Sequence, residues 1–251
     1  SSSSPEVSGA GPYTFRVCPS DDAHGAALAR WVRDRLGLRT GTVMYLDNEY
    51  GRGVRQRFAD EYVRLGGELA ATSPYLGDTP RVGPYIERMA RDGTSQFLLV
   101  AGNLSEAEEI LRQARRRGVT VPVLDGDGLE GIERAGALAE GVYISTAYIS
   151  LLNTPANRKF VAAYTGRYPD EPLPNQPAAA TYDAIYLLRD VIARVGTGRR
   201  AVRDGLAHVI LAAPFIGATG TIAFDSLGDV PNRQVYIGVV HSGAVRLAEG
   251  Q

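Results

Sequence analysis

The stretch that most limits what this chain can become runs from Thr42 to Leu65. Thr42-Val43-Met44-Tyr45-Leu46 has no turn former and is mostly β-branched, aromatic or aliphatic, the composition of a buried strand. Asp47-Asn48-Glu49 breaks the run, and Gly51 and Gly53 open a helix over 52–65 that carries Val54, Phe58, Tyr62 and Leu65. A strand that passes through a polar turn into a helix leaves its loop side chains at the strand's carboxyl end. In open α/β sheets that is where ligands bind.

The same grammar recurs along the chain. Ser20 or Asp21 can cap a helix whose Ala27, Leu28, Trp31, Val32 and Leu36 fall at three-to-four spacing before Gly37. Tyr13–Cys18 reads as a short strand before it, Glu68–Thr72 as a strand after Gly66-Gly67, and Tyr85–Arg91 as a helix. Gln96-Phe97-Leu98-Leu99-Val100-Ala101 is a continuous apolar run, the mark of a strand covered on both faces. Ser105 with Glu108 forms a capping-box pattern for a helix to Arg117, and Val121–Leu124 and Gly141–Thr146 are further strands. Three strand–helix units in succession predict an α/β fold with a parallel, doubly wound sheet. Their loops gather Asp47, Asn48, Tyr50, Asn103, Asp125 and Asp127 at one rim.

Beyond 146 the style changes. Asn157–Tyr168 after a Thr154 cap, Pro177–Val195 and Arg200–His208 are helical, Ala218–Asp225 is strand-like, and 234–240 with 244–247 reads as a hairpin around His241-Ser242-Gly243. Helices from 147 to 215 have no parallel sheet of their own to lie on, so half of a second lobe is expected to be absent.

Composition removes several function classes. Net charge is −1 with no basic stripe interleaved with aromatics, which argues against a nucleic-acid partner. No apolar run approaches the ~20 residues of a membrane span, and the opening serines lack a signal-peptide pattern. With 251 residues, 44% of them apolar, the chain can build one large domain or two small lobes. The single cysteine, Cys18, forms no internal disulfide, and His24, His208 and His241 lack metal-ligand spacing, so no metal and no cofactor is expected.

The order of several short motifs resembles the extracytoplasmic solute-binding proteins of the branched-chain amino acid type, with the periplasmic-binding fold type I. The matching residues are Phe15-Arg16 with Pro19-Ser20-Asp21, the Tyr50-Gly51 loop, Gln113-Ala114 with Gly118, and Ala139-Glu140-Gly141-Val142. Further along come Phe160 with Tyr164, Tyr182-Asp183-Ala184, and Gly220-Thr221-Ile222 leading to Phe224-Asp225 and Gly228-Asp229. The resemblance implies a complete three-layer αβα Rossmann-like lobe 2 from residues 17–146 and 233–251. It implies a partial lobe 1 from 1–16 and 147–232, since Ser1 falls where the family's first strand–helix array ends.

Residue by residue, the resemblance aligns Ser1 and Ser3 with lobe-1 contacts to a ligand carboxylate and Tyr50 with a lobe-2 aromatic that covers the ligand. Asp21 matches an acidic residue near the hinge, and Asp127 matches the carboxylate that receives an α-ammonium group. Asn103 stands where similar amino-acid binders have an aromatic. The implied partners are a small amino-acid-like ligand and the membrane permease of an ABC transporter. The implied location is periplasmic or extracytoplasmic, with a lipid anchor open in the full-length protein and no membrane insertion by this chain. An amino acid needs hydroxyl and amide donors for its carboxylate and an acid for its ammonium, because leaving either unpaired after desolvation costs more than one contact gains.

Each of these residues also has a structural role open to it. Tyr50 could pack on a helix start, Asp127 form a turn between two glycines, Asp21 act as an N-cap, and Asn103 close a turn. Ser1 and Ser3 sit at a chain end. Two other functions compete with solute binding. A Rossmann enzyme is disfavoured because Gln56 stands where the dinucleotide fingerprint needs its third glycine, and because no serine is expected near a histidine. A ligand-sensing domain of a receptor or regulator would use the same fold.

Overall fold

A computed structural model describes residues 3–77, 81–209, 213–231 and 233–250. In chain order the elements are α1 (Asp21–Arg30, continued by the π-helical turn Trp31–Arg35), β1 (Thr40–Leu46), α2 (Glu49–Arg64), β2 (Glu68–Tyr75), α3 (Gly83–Asp92), β3 (Leu98–Ala101), α4 (Leu104–Arg116), β4 (Val123–Asp125) and β5 (Tyr143–Thr146). Then follow α5 (Pro155–Arg167), α6 (Gln176–Val195), α7 (Arg199–Asp204, continued by the turn Gly205–Val209), β6 (Phe215–Gly217), β7 (Gly220–Ile222), β8 (Tyr236–His241) and β9 (Ala244–Leu247). Two compact units result: Ser1–Ser20 with Ala147–Gln234, and Asp21–Thr146 with Val235–Gln251.

The second of these units is built on a sheet of order β2-β1-β3-β4-β5-β8-β9. The first five strands are parallel, and β8 and β9 add an antiparallel edge. Alternate residues of the central strands point to opposite faces. Val43, Leu99, Leu124 and Ile237 pack with Leu28, Trp31 and Val32 of α1 and its extension and with Phe58 and Tyr62 of α2. Met44, Val100, Val123 and Ile144 pack with Ile86 and Met89 of α3 and Ile110, Leu111 and Ala114 of α4. Both faces are covered, which is why these strands read as unbroken apolar runs. The fold is a three-layer αβα sandwich.

In the other unit α6 supplies Leu187 and Val191 to a core with Leu206, Ile222 and Phe224, and Phe15 meets Phe224 edge-on at 5.0 Å. Asp183 is buried on α6 and closes the β6–β7 turn. Its carboxylate accepts from the Ala218 and Thr219 amides at 2.8 Å each and from Thr219 Oγ1 at 2.6 Å. Arg16 is equally tied: Nε donates to Asp229 Oδ1 and Nη2 to Asp229 Oδ2, both at 2.9 Å, while Nη1 reaches the carbonyls of Ser3 and Ser4.

Several local expectations are corrected. Residues 13–18 form no strand; only a single parallel bridge joins Arg16 to Asp229. The run 218–225 is not one strand, because Ala218-Thr219 turns the chain between β6 and β7 under the pull of Asp183. Helix α2 begins at Glu49 rather than at the glycines, since Asn48 Oδ1 caps it by accepting from Gly51 N at 2.8 Å. Helix α4 begins with Asn103 at its N-cap, and Ser105 Oγ donates to Glu106 Oε2 at 2.8 Å instead of forming a capping box with Glu108. The Thr154 cap is present, accepting from Asn157 N at 3.2 Å. The terminal hairpin forms through Ser242 and Gly243, both at positive φ.

Candidate functional site

Strand order reverses between β1 and β3: the chain runs outward from β1 to β2, then crosses back to β3, β4 and β5. At such a switch point the loops leaving neighbouring strands diverge and open a crevice at their carboxyl ends. The loops concerned carry Asp47–Tyr50 after β1, Gly102-Asn103 after β3 and Gly126–Gly128 after β4.

Two glycines let these loops close on one another. A Cβ at Gly51 would lie 2.1 Å from the Leu46 carbonyl oxygen, and one at Gly128 would lie 2.1 Å from the carbonyl of Gly102. The first contact seats α2 directly on the end of β1, which fixes Tyr50 in the helix's first turn. The second brings the β4 loop against the β3 loop. Tyr50 Oη then ties the start of α2 to the β4 loop: it accepts from Gly128 N at 2.9 Å and donates to Asp127 Oδ1 at 3.2 Å. Burial first, then the negative charges of Asp125 and Asp127, hold the Tyr50 proton well above the usual phenol range, so the hydroxyl stays a donor.

Behind this pair stands Asp125, wholly buried at the end of β4. One oxygen accepts a short bond from Gly126 N and the other a long one, 3.5 Å, from Gly102 N. Desolvation raises its pKa well above the ordinary carboxylate value and Asp127 adds to the shift, with the two amides opposing. Helix α1 contributes Asp21, buried at its start, and His24 one turn later, fully buried. His24 Nδ1 lies 3.0 Å from Ser145 Oγ of β5, and Nε2 lies 3.9 Å from Asp127 Oδ2, near enough for attraction but too far for a hydrogen bond.

The expected site residues therefore divide. Tyr50 and Asp127 are brought together by a hydrogen bond, and Asp21 is close enough for its charge to act on Tyr50. Asn103 sits at the same rim but is exposed, and its Nδ2 donates to Glu106 Oε1 of its own helix at 3.2 Å. Ser3 belongs to the other unit, where its carbonyl accepts from Arg16 Nη1 at 3.2 Å. Ser1 lies outside the described residues. Asp125, His24 and Ser145 were not foreseen as site residues. The expectation that no serine lies near a histidine is overturned by the 3.0 Å contact of His24 with Ser145, two residues far apart in sequence. Both are fully buried, so this hydroxyl is not presented to a substrate. Among the described residues no cluster of histidine, cysteine and acid could hold a metal ion.

Comparison with known proteins agrees with this architecture. The family model described as periplasmic binding protein matches residues 1–244. The chain belongs to that family. A leucine binding protein from Thermotoga maritima is 28% identical, with a TM-score of 0.86 over 99% of this chain and 70% of its own. The branched-chain amino acid substrate binding protein of Streptococcus pneumoniae, solved with isoleucine, is 24% identical, with a TM-score of 0.81 over 95% of this chain and 67% of its own. A Rhodopseudomonas palustris solute binding protein in complex with benzoate is 17% identical, with a TM-score of 0.84 over 96% of this chain and 66% of its own. No curated protein sequence matches. This periplasmic binding protein thus spans about 70% of the length of its leucine-binding neighbour. Its fold is the type I fold. Among the described residues no helix is long and apolar enough to cross a membrane.

Proposed function

We propose that this periplasmic binding protein is the extracytoplasmic solute receptor of an ABC importer and that it captures an α-amino acid for a membrane permease. The observation that carries the reading is the hydrogen bond between Tyr50 and Asp127 at the carboxyl ends of β1 and β4, set in a rim that also holds Asp21 and Asp125. A neutral phenol over a carboxylate offers one acceptor and one edge to a cationic group, as an ammonium needs. The rim also bears on the choice between neighbours. Asp21 and Asp127 repel an aromatic acid such as benzoate, which lacks a positive group, and attract an ammonium.

A thermal-shift panel of L-leucine, L-isoleucine, other amino acids and benzoate tests this. Amino acids are expected to raise the melting temperature and benzoate to leave it unchanged. A shift with benzoate and none with any amino acid would sink the proposal.

A further inference from the structure

We infer that Tyr75, the last residue of β2, is a positioning residue of the rim. Its hydroxyl sets where the β3 loop stands and, through that loop, where Tyr50 and Asp127 meet. The inference rests on the amino-acid reading for its ligand but not for its geometry. Tyr75 is buried, and among the described residues its hydroxyl has no hydrogen-bond partner. An unpaired buried hydroxyl is costly, so phenylalanine would serve the core better. The oxygen therefore needs another explanation, and its surroundings supply one.

Tyr75 touches both loops of the switch point. Its backbone pairs with Leu46 in the register of β1 and β2, and its carbonyl accepts from Asp47 N, the first residue of the β1 loop, at 2.9 Å. Its side chain passes across the end of β1 to the loop after β3. There a Cβ built on Gly102 would lie 1.8 Å from Tyr75 Oη, so the oxygen occupies the place of a side chain. The next atoms are Tyr75 Cζ at 3.1 Å, which a shift of a few tenths of an ångström relieves, and Leu46 Cβ at 3.8 Å. One oxygen thus makes this position intolerant of anything but glycine. Burial first, then the charges of Asp125 and Glu106, push the phenol far above its usual range and keep the hydroxyl neutral.

From Gly102 the contacts run on to the candidate site. The Gly102 carbonyl lies against Gly128, where a Cβ would approach it to 2.1 Å. Gly128 N donates to Tyr50 Oη, which donates in turn to Asp127. Gly102 N also reaches Asp125 Oδ2 at 3.5 Å. The first two contacts involve backbone at Gly102 and Gly128, with no flexible side chain to absorb a displacement. A Gly102 that settles into space left by the hydroxyl draws its carbonyl away from Gly128 and alters the bond between Tyr50 and Asp127.

The experiment compares wild type, Tyr75→Phe, Gly102→Ala and the double variant of the whole chain. Three measurements are made: urea unfolding, the Gly128 amide resonance in proton–nitrogen correlation spectra, and calorimetry with L-leucine. Tyr50→Phe identifies the Gly128 resonance by removing its acceptor. Tyr75→Phe is expected to unfold at the urea concentration of wild type or above it, and to move the Gly128 resonance. It is also expected to weaken L-leucine binding by about 2- to 30-fold, the range for a residue that acts on a site without touching the ligand. Gly102→Ala is expected to do more damage, and adding Tyr75→Phe to recover part of it, because the clashing oxygen is gone. If Gly102→Ala does not fold, recovery of a folded double variant reads the same contact. Three results each overturn the proposal: an unmoved Gly128 resonance in Tyr75→Phe, an unchanged affinity in Tyr75→Phe where wild type binds L-leucine, or a double variant no better than Gly102→Ala. A Gly128 resonance that responds as expected in a chain that gives no heat with L-leucine upholds the positioning role and counts against the amino-acid reading.

Discussion

Two buried carboxylates, one in each unit, accept from backbone amides of glycine-containing turns and have opposite fates. Asp183 is saturated: two backbone amides and a threonine hydroxyl, all within 2.8 Å, converge on it. Asp125 has one short amide bond and one at 3.5 Å, a second acid beside it, and a proton held to unusually high pH. The first carboxylate fastens a turn to a helix. The second is held by one short and one long amide bond and sits beside another acid. A satisfied buried charge fixes structure, whereas a poorly satisfied one keeps the capacity to respond to a partner.

The contrast is broken most severely by Asp183→Ala. It strands two buried amides and a hydroxyl, and urea unfolding should report a loss of about 3–5 kcal/mol. Asp127→Asn inverts the pattern. Its side chain is 16% exposed, so unfolding should change by less than about 1 kcal/mol. Calorimetry with the amino acid that binds should show about a 10- to 100-fold loss of affinity, the worth of one charge-assisted contact. Equal stability losses for the two variants would abolish the distinction.

Asp125→Asn sharpens it through pH. The folded-state pKa of Asp125 is raised, so the folded protein holds this proton where the unfolded chain has lost it. Stability from Asp125 is complete below its unfolded value of about 3.9 and is lost as pH rises through the folded value. Wild type should lose up to about 1.4 kcal/mol per pH unit across that window relative to Asp125→Asn, measured by urea midpoints at successive pH. Glu61 runs the other way and is the smallest effect. Bonds from Arg64 and Arg30 lower its pKa to about 2, with burial opposing. Its contribution is present above the ordinary glutamate value of about 4.3 and is lost as pH falls toward 2. The arginines are more than half exposed, so Glu61→Gln should cost at most about 1 kcal/mol at pH 7 and nothing near pH 2.

These residues also show what the sequence discloses. The strands β1 and β3 and the helices α1, α2 and α4 are legible because each buries a side-chain pattern set by its own period. Position at the sheet's rim follows from chain order, which brought Tyr50 and Asp127 into view, and the resemblance supplied their roles. His24 and Ser145 stayed hidden because nothing local marks a contact between a helix start and a distant strand. Asp125 was seen at the rim, but not that burial would leave it so sparingly bonded. The 218–225 segment was misread because a carboxylate on α6, remote in sequence, decides where that chain turns. Tyr13–Cys18 has a strand's alternation without a strand's neighbours, as Arg16 uses its side chain rather than its backbone to hold the segment.

The antiparallel edge of the large sheet has a consequence for synthesis. Strand β5 pairs with β8, yet all of residues 147–235 separate them in the chain. As the polypeptide leaves the ribosome, β1 to β5 can assemble early, but the outer side of Tyr143–Thr146 keeps its backbone donors and acceptors open until β8 emerges. An uncovered edge of this kind is a template for wrong pairing. Strand β8 thus seals a sheet edge whose parallel strands all precede it in the chain, and a chain truncated before Tyr236 should be recovered mainly in the aggregated fraction.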